Sequence, residues 1–502
     1  MTATGDPLAN GPPEPPRAVI DIGSNTVRLV IYGAPLRAPV TLLNEKLTAR
    51  LGRDLAETGR LSPKGTASAL ATLRRFHALL RMYRVPHAEV AATAAVRVAE
   101  DGAEFLAEVA RIGFAPRLLS GEEEAETSAA GVLAAFPGAR GIVADLGGGS
   151  LELVDIDDGR IAHGVSLPFG TLLLPALRSA GPREFQRKVH SAIDRAAWSA
   201  EPGQTLYVVG GSLRSIARLA LDRAPGPLDD PHGFTMNADD CAALTAELMQ
   251  PSTERIAGSK RISGSRLNSL PDAAALLGVL IEQLRPARVV FSSWGLREGL
   301  LFRSLDAETQ AQDPLIAGVT AFAESHAVTA IGAAMVSGWT APVATGTDPA
   351  DERLRLAATL LGMASMQVEP NLRAAHVLDW ALRKRLICID VRGRAMLAAA
   401  LAAQVGKAAD PAVLVGLAPP ADLAIARGWG LALRLCRRLT LCAPEALGST
   451  GLAIVGNTME LRLRGAASVL AADSAERDLK ALATHMGFAH AIRVVDEYEP
   501  VA

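Results

Sequence analysis

Several absences narrow the reading of this chain before any motif does. Aromatic residues make up only 4% of its 502 positions, while Ala and Leu abound. Its cores are therefore expected to be aliphatic and largely helical. There is no excess of basic charge: 51 Lys and Arg stand against 53 Asp and Glu, a net charge of −2. A general nucleic-acid binder advertises a surplus of cations, so any polyanion site here must be a local patch. Only four cysteines occur (Cys241, Cys388, Cys436 and Cys442), with no CxxC or Cys/His ligand spacing. That excludes a disulfide framework or a zinc ribbon and points to free thiols in a reducing compartment. No charge-free apolar run of about 18 residues is present, so no membrane span is expected and a cytoplasmic location follows. Met1–Pro16 lacks the charged start and apolar run of a signal peptide and reads as a disordered tail. No GxxxxGK[ST] occurs, which excludes a P-loop.

What is present, twice, is a hydrophobic strand that ends in Asp and runs into a Gly-rich turn. The first is Ala18-Val19-Ile20-Asp21-Ile22-Gly23-Ser24-Asn25 and the second Ile142-Val143-Ala144-Asp145-Leu146-Gly147-Gly148-Gly149-Ser150. They superpose without a gap at an offset of 124 positions. Such turns can wrap backbone N–H groups around a phosphate. Taken alone, the Asp21 turn reads as an ordinary hairpin turn. Three consecutive glycines are harder to dismiss, because they carry an entropic cost that a close approach to the backbone would justify.

Around each turn the same order of elements recurs. Three strands open each copy, at Ala18–Ile22, Val27–Tyr32 and Val40–Leu47, and at Gly141–Asp145, Leu151–Ile156 and Ile161–Ser166. The expected organisation is a tail (1–16), a first α/β domain (17–137), a second α/β domain (138–312) and a mainly helical C-terminal unit with a small α/β end (313–502).

Other segments carry possible chemistry. Ser120-Gly121-Glu122-Glu123-Glu124 reads as a capping box that opens a helix, with Ser120 and Glu123 completing it. Glu124 is left over and could deprotonate a water. Asp145 and Glu152 flank the glycine turn and could hold Mg²⁺. Arg97 could clamp a phosphate through its planar fork, although an exposed Arg with no role is the commoner case. Val209-Gly210-Gly211-Ser212 is a strand, a turn and a helix start, suited to an anion or simply to close packing. Lys260, Arg261, Arg266, Arg383, Lys384 and Arg385 could line a path for a long polyanion, though charge clusters are usually solvated faces.

In this order, Asp21 to Asn25, Thr93 to Arg97, Ser120 to Ala125, Asp145 to Ser150, Val209 to Ser212 and Ser293-Trp294-Gly295-Leu296-Arg297-Glu298-Gly299 resemble the exopolyphosphatase / guanosine pentaphosphate phosphatase family. The resemblance covers about Arg17–Leu315. It implies two ribonuclease-H-like domains of the actin/sugar-kinase/Hsp70 fold closing over a phosphate cleft. It also implies Glu124 as catalytic base, Asp145 and Glu152 as a metal-linked pair, and Arg97 as a phosphate ligand. Phosphate-binding roles fall on Gly23, Ser24, Asn25, Gly147, Gly148, Gly149, Ser150, Gly210, Gly211 and Ser212. Two departures stand out. Glu126 occupies a position where the family usually has Arg, and Ser166-Leu167-Pro168-Phe169-Gly170 is followed by Thr171-Leu172-Leu173 rather than by a nearby Arg. The helical unit resembles the family's C-terminal extension, related to His-Asp phosphohydrolase domains, but Leu360-Leu361-Gly362-Met363-Ala364-Ser365-Met366 lacks the His-Asp pair.

The expected function is thus Mg²⁺-dependent hydrolysis of a phosphoric anhydride: release of terminal phosphate from linear polyphosphate, by a homodimer. The rivals are 5′-phosphate hydrolysis of guanosine pentaphosphate (pppGpp), a kinase of the same fold, and a catalytically silent phosphate sensor.

Overall fold

The structure, a computed structural model, describes residues 14–223, 226–249, 262, 264–344, 348–406 and 411–495. Lys260, Arg261 and most of the expected N-terminal tail lie outside the described residues.

The first strand pair forms because apolar residues alternate with turn signals over short spans. β1 (Arg17–Ile22) and β2 (Val27–Gly33) are antiparallel, and β3 (Val40–Leu47) adds to β2. Helix α1 (Pro63–Met82) starts on Pro63 and buries Ala69, Leu73, Phe76 and Leu80, one face at helical spacing. β4 (His87–Ala92) then pairs parallel with β1, and β5 (Pro116–Leu118) with β4. Two helices, α2 (Ala94–Val98) and α3 (Gly102–Ile112), lie between them in the chain. The sheet order is β3-β2-β1-β4-β5.

Helix α4 (Gly121–Ala135) opens on the expected capping box. Ser120 Oγ accepts the Glu123 N–H at 3.0 Å and the Glu123 carboxylate accepts the Ser120 N–H at 2.8 Å. The second sheet repeats the first. β6 (Arg140–Leu146), β7 (Leu151–Asp157) and β8 (Arg160–Leu167) are antiparallel neighbours, and β9 (Thr205–Val209) runs parallel to β6. Helix α5 (Gly211–Arg223) follows β9. The short β10 (Thr235–Asn237) and then β11 (Arg288–Phe291) complete the order β10-β11-β9-β6-β7-β8. Between β10 and β11 runs α6 (Gly264–Leu284), which carries Pro271 in its interior. Helix α7 (Leu296–Arg303) packs on α4.

Both sheets belong to one compact unit, formed by residues up to 225 together with 231–314. A second unit holds residues 226–230 and 315–502. It contains α8 (Pro349–Ala364), α9 (Pro370–Leu382), α10 (Val391–Gln404) and α11 (Pro420–Thr440). A small sheet follows, β12 (Thr450–Val455), β13 (Thr458–Arg464) and β14 (Ala489–Val495), with α12 (Asp473–Met486) crossing from β13 to its parallel neighbour β14. Helices α10 and α11 pack face to face around Leu397, Leu401, Ala432 and Leu433. Leu360, Leu361 and Ala364 are part of that core, and Ser365 is buried beside it. Arg383, Lys384 and Arg385 each have partners inside this unit. Arg383 pairs with Asp379, Arg385 with Asp230 at 2.6 Å, and the Lys384 ammonium sits over the Phe322 ring. No helix among the described residues is long and apolar enough to cross a membrane.

Candidate active site

The two glycine turns share one hydrogen-bond plan. The Gly23 N–H reaches the Thr26 carbonyl and the Gly147 N–H the Ser150 carbonyl, both at 3.0 Å. Each turn is also held by the segment that follows its third strand. The Gly52 N–H donates to the Ser24 carbonyl at 2.9 Å, as the Leu172 N–H does to Gly148. The turns abut each other, and both line a cleft of about 650 Å³. The glycines are there for proximity: a Cβ on Gly149 would stand 2.6 Å from Ser24 Oγ, and one on Gly170 2.2 Å from the Gly149 carbonyl carbon. Ser24 Oγ accepts the Ala95 N–H at 3.1 Å, which ties the first turn to α2.

Three carboxylates come from three elements, the two strands of the second hairpin and α4. Asp145 ends β6, Glu152 lies directly opposite it on β7, and Glu124 is in the first turn of α4. All three line the cleft with Asp21. Each of the three is held by a neighbour: Asp145 accepts from Ser128, Glu152 accepts from Ser166 at 3.0 Å, and Glu124 pairs with Arg97 at 2.9 Å. Glu124 is 7% exposed and Glu152 2%. Burial pushes the Glu124 carboxyl up to about 7, with Arg97 pulling the other way and Asp145 and Asp21 adding to the rise. Burial likewise raises Asp21 and Asp145, and it raises Glu152 well above the carboxylate range with help from the charges of Glu124 and Asp145.

Facing these acids are seven cationic side chains on the cleft lining: Arg28, Lys46, Arg50, Arg53, Arg214, Arg266 and Arg297. They crowd one another. Burial lowers Lys46, and the charges of Arg28, Arg266, Arg297 and Arg214 lower it further. Burial and neighbouring guanidinium groups bring Arg28 and Arg214 down to about 10, still charged at neutral pH. Arg297 donates to Asp21 at 3.3 Å, and the buried Nε atoms of Arg28 and Arg297 have no hydrogen-bond partner. A cleft with surplus buried N–H donors and mutually repelling cations is matched to a polyanion.

Of the residues expected from sequence, Gly23, Ser24, Asn25, Gly147, Gly148, Gly149, Ser150, Gly210, Gly211, Ser212, Glu124, Asp145, Glu152 and Arg266 all line this cleft. Gly211 and Ser212 begin α5, and Ser212 Oγ is 3.1 Å from Ser269 Oγ. Arg97 is not among the residues that line the cleft; its guanidinium donates to the Leu119 carbonyl and the Glu124 carboxylate. Glu126 is 3.6 Å from Arg303 on α7, and Thr171 and Leu172 line the cleft. The cations Lys46, Arg50 and Arg53 carried no signal in the sequence, since no motif surrounds them. Arg214 and Arg297 sat inside recognised motifs, and Arg28 stands at the repeat position of Glu152, so all three were within reach.

Among the described residues no set of three or more His, Cys, Asp or Glu converges as a ready-made metal cage. The donor set at the second turn is two opposed carboxylates, and the charge of Asp145 raises the proton affinity of Glu152. Mg²⁺ keeps several waters and takes one or two carboxylates plus substrate phosphates, so this pair fits it.

A duplicated α/β unit with a glycine-lined, cation-rich cleft suits a protein that handles phosphate. The family model described as the Ppx/GppA phosphatase family matches residues 30–308, and the chain belongs to that family. It is 27% identical over 304 residues to "Exopolyphosphatase 1" of Mycobacterium tuberculosis, covering 58% of this chain and 88% of that one. It is also 27% identical over 340 residues to "Retrograde regulation protein 2" of Saccharomyces cerevisiae, covering 59% and 57%. Among solved structures, the Aquifex aeolicus Ppx/GppA family member aligns with a TM-score of 0.50 at 25% identity, over 57% of this chain and 96% of that one. An exopolyphosphatase from Cytophaga hutchinsonii shares the fold, with a TM-score of 0.51 at 21% identity.

Proposed function

We propose that this protein is an exopolyphosphatase, which releases orthophosphate from the end of linear inorganic polyphosphate. The observation that carries this reading is one cleft in which, among the described residues, seven cations and both glycine turns meet Asp21, Glu124, Asp145 and Glu152. Glu124, as carboxylate, takes a proton from a water whose oxygen bonds the terminal phosphorus. The bridging P–O bond breaks, and the shortened chain leaves with the electron pair. The N–H groups of Gly23–Asn25 and Gly147–Ser150 are donors for the phosphoryl oxygens. Asp145 and Glu152 would hold Mg²⁺, which when bound supplies positive charge to those oxygens. Arg97 acts on Glu124, and the arginines of the cleft neutralise the chain beyond the scissile bond. The two halves are read as ribonuclease-H-like units of the actin/sugar-kinase/Hsp70 fold, a reading supported by the repeated order of three antiparallel strands followed by parallel ones.

The cleft lining includes no aromatic side chain among the described residues. That favours an inorganic chain over a guanine nucleotide, which gains from a stacking partner. Phosphate release measured side by side on long polyphosphate, short polyphosphate and pppGpp, with and without Mg²⁺, tests the reading. Faster release from long polyphosphate, abolished in Glu124→Gln while polyphosphate still binds, is expected. Near-normal turnover in that variant would overturn it, and ADP formation in place of free phosphate would indicate a kinase.

A further inference from the structure

Two of the four cysteines lie six positions apart at the end of α11, far in sequence from the cleft. Cys436 is inside the helix and fully buried, and Cys442 lies two residues past its end, half-buried against the same core. Leu441 and Cys442 are both left-handed, at φ 52° and 59°, a conformation uncommon outside glycine. Two such residues in succession reverse the chain and return Cys442 to the face that carries Cys436. One hydroxyl records the result: Thr440 Oγ accepts the Cys442 N–H at 3.0 Å and stands 3.8 Å from Cys436 Sγ. Thr440 thus joins the two cysteines, whose thiols lie close enough to act on each other.

The pair is unequal. Burial pushes the Cys436 thiol well up, whereas the neighbouring Cys436 thiol, and then the charge of Arg437, hold Cys442 below the usual thiol range. Arg437 has charge to lend. Its neighbours Arg434 and Arg438 share Asp478, at 3.1 and 3.2 Å, while the buried Arg437 Nε has no hydrogen-bond partner.

We propose that Cys442 and Cys436 are a peroxide-sensitive dithiol that closes into an intrachain disulfide. The Cys442 thiolate attacks a hydroperoxide oxygen. The O–O bond breaks, alcohol (or water, from hydrogen peroxide) leaves, and Cys442 becomes a sulfenic acid. Cys436 sulfur then attacks the Cys442 sulfur, its proton leaves with the hydroxyl as water, and the S–S bond forms. Two thiols are oxidised by two electrons and one hydroperoxide is reduced.

The experiment treats the reduced full-length protein with hydrogen peroxide and follows intact mass and tryptic peptides. Arg437 and Arg438 lie between the two cysteines, so trypsin separates them unless a disulfide joins them. We expect a loss of two hydrogens, a cross-linked peptide pair holding Cys436 and Cys442, and reversal by dithiothreitol. Cys442 should react at least about tenfold faster than Cys388, which serves as internal reference. Cys436→Ser should stall at a sulfenic acid on Cys442 that dimedone captures, and Arg437→Met should slow the first step. Oxidation of wild type to a sulfinic acid at Cys442 without the cross-link would overturn the proposal, as would a Cys442 no faster than Cys388.

Discussion

In the first glycine hairpin Asp21 stands across the strand pair from Arg28 and also accepts from Arg297 at 3.3 Å. In the second, at the same register, Asp145 stands across from Glu152 and accepts from Ser128. The backbones match to the level of individual turn hydrogen bonds, yet opposite the shared Asp one hairpin offers the cleft a cation and the other a second carboxylate. The segments that clamp them differ in the same sense. Arg50 and Arg53 flank the first turn, and Thr171 and Leu172 the second. Duplication supplied a symmetric frame, and side-chain replacement made it polar. One wall suits a polyanion, and the other suits a metal and a reactive water.

The largest effect should come from Glu124, which belongs to neither hairpin. Glu124→Gln is expected to lower phosphate release by about 10³-fold with polyphosphate binding retained, because it removes general-base catalysis and little charge recognition. Making the hairpins alike should come next. Glu152→Arg reproduces the Asp–Arg pairing of the first hairpin and is expected to cost at least about 100-fold in release together with any Mg²⁺ dependence. If Mg²⁺ dependence survives that change, the metal is not held at the second hairpin.

The pH profile sharpens the role of Arg97. Glu124 works as a base only when deprotonated, and its carboxyl sits at about 7. Turnover should climb about tenfold per pH unit below that value and level off above it. Arg97 lowers this value, so Arg97→Met should move the rise to higher pH. An unmoved profile with a raised KM would return Arg97 to phosphate binding. Arg28→Ala should act mainly on substrate, raising KM about tenfold and flattening its salt dependence. The smallest contrast is steric. Gly149→Ala places its Cβ 2.6 Å from Ser24 Oγ, whereas Gly23→Ala meets nothing closer than 3.4 Å. The first should destabilise by about 1–3 kcal/mol and the second much less, as read by thermal unfolding.

Much of the first unit was legible because its signals are local. The strands around Asp21 and Asp145 are short apolar runs bounded by glycine, and β3 was expected with its observed bounds. The capping box at Ser120 is a spacing rule, and it left Glu124 as the residue the cap did not need. Helix α6 was missed because Pro271 reads as a helix breaker. In the structure the helix continues through it, with Leu270, Ala273, Ala274 and Leu277 buried in the core of the second half. β14 was missed because it is an edge strand with scattered burial, paired to β13 only through a helical crossover. Arg97 lies in α2, past the end of β4, and its pairing with Glu124 spans 27 positions, which no local pattern shows.

The sequence by itself determined the duplicated hairpins, their offset of 124 positions and the inequality of Arg28 and Glu152, because turns, caps and strand register depend on residues a few positions apart. Only the tertiary structure decided which charges meet. Lys46, Arg50, Arg53, Arg214, Arg266 and Arg297 become one cationic lining because separate strands, loops and helix ends open onto the same cleft. The raised Glu124 carboxyl is likewise a property of burial beside Asp145 and Asp21, and desolvation by distant segments cannot be read from a local pattern.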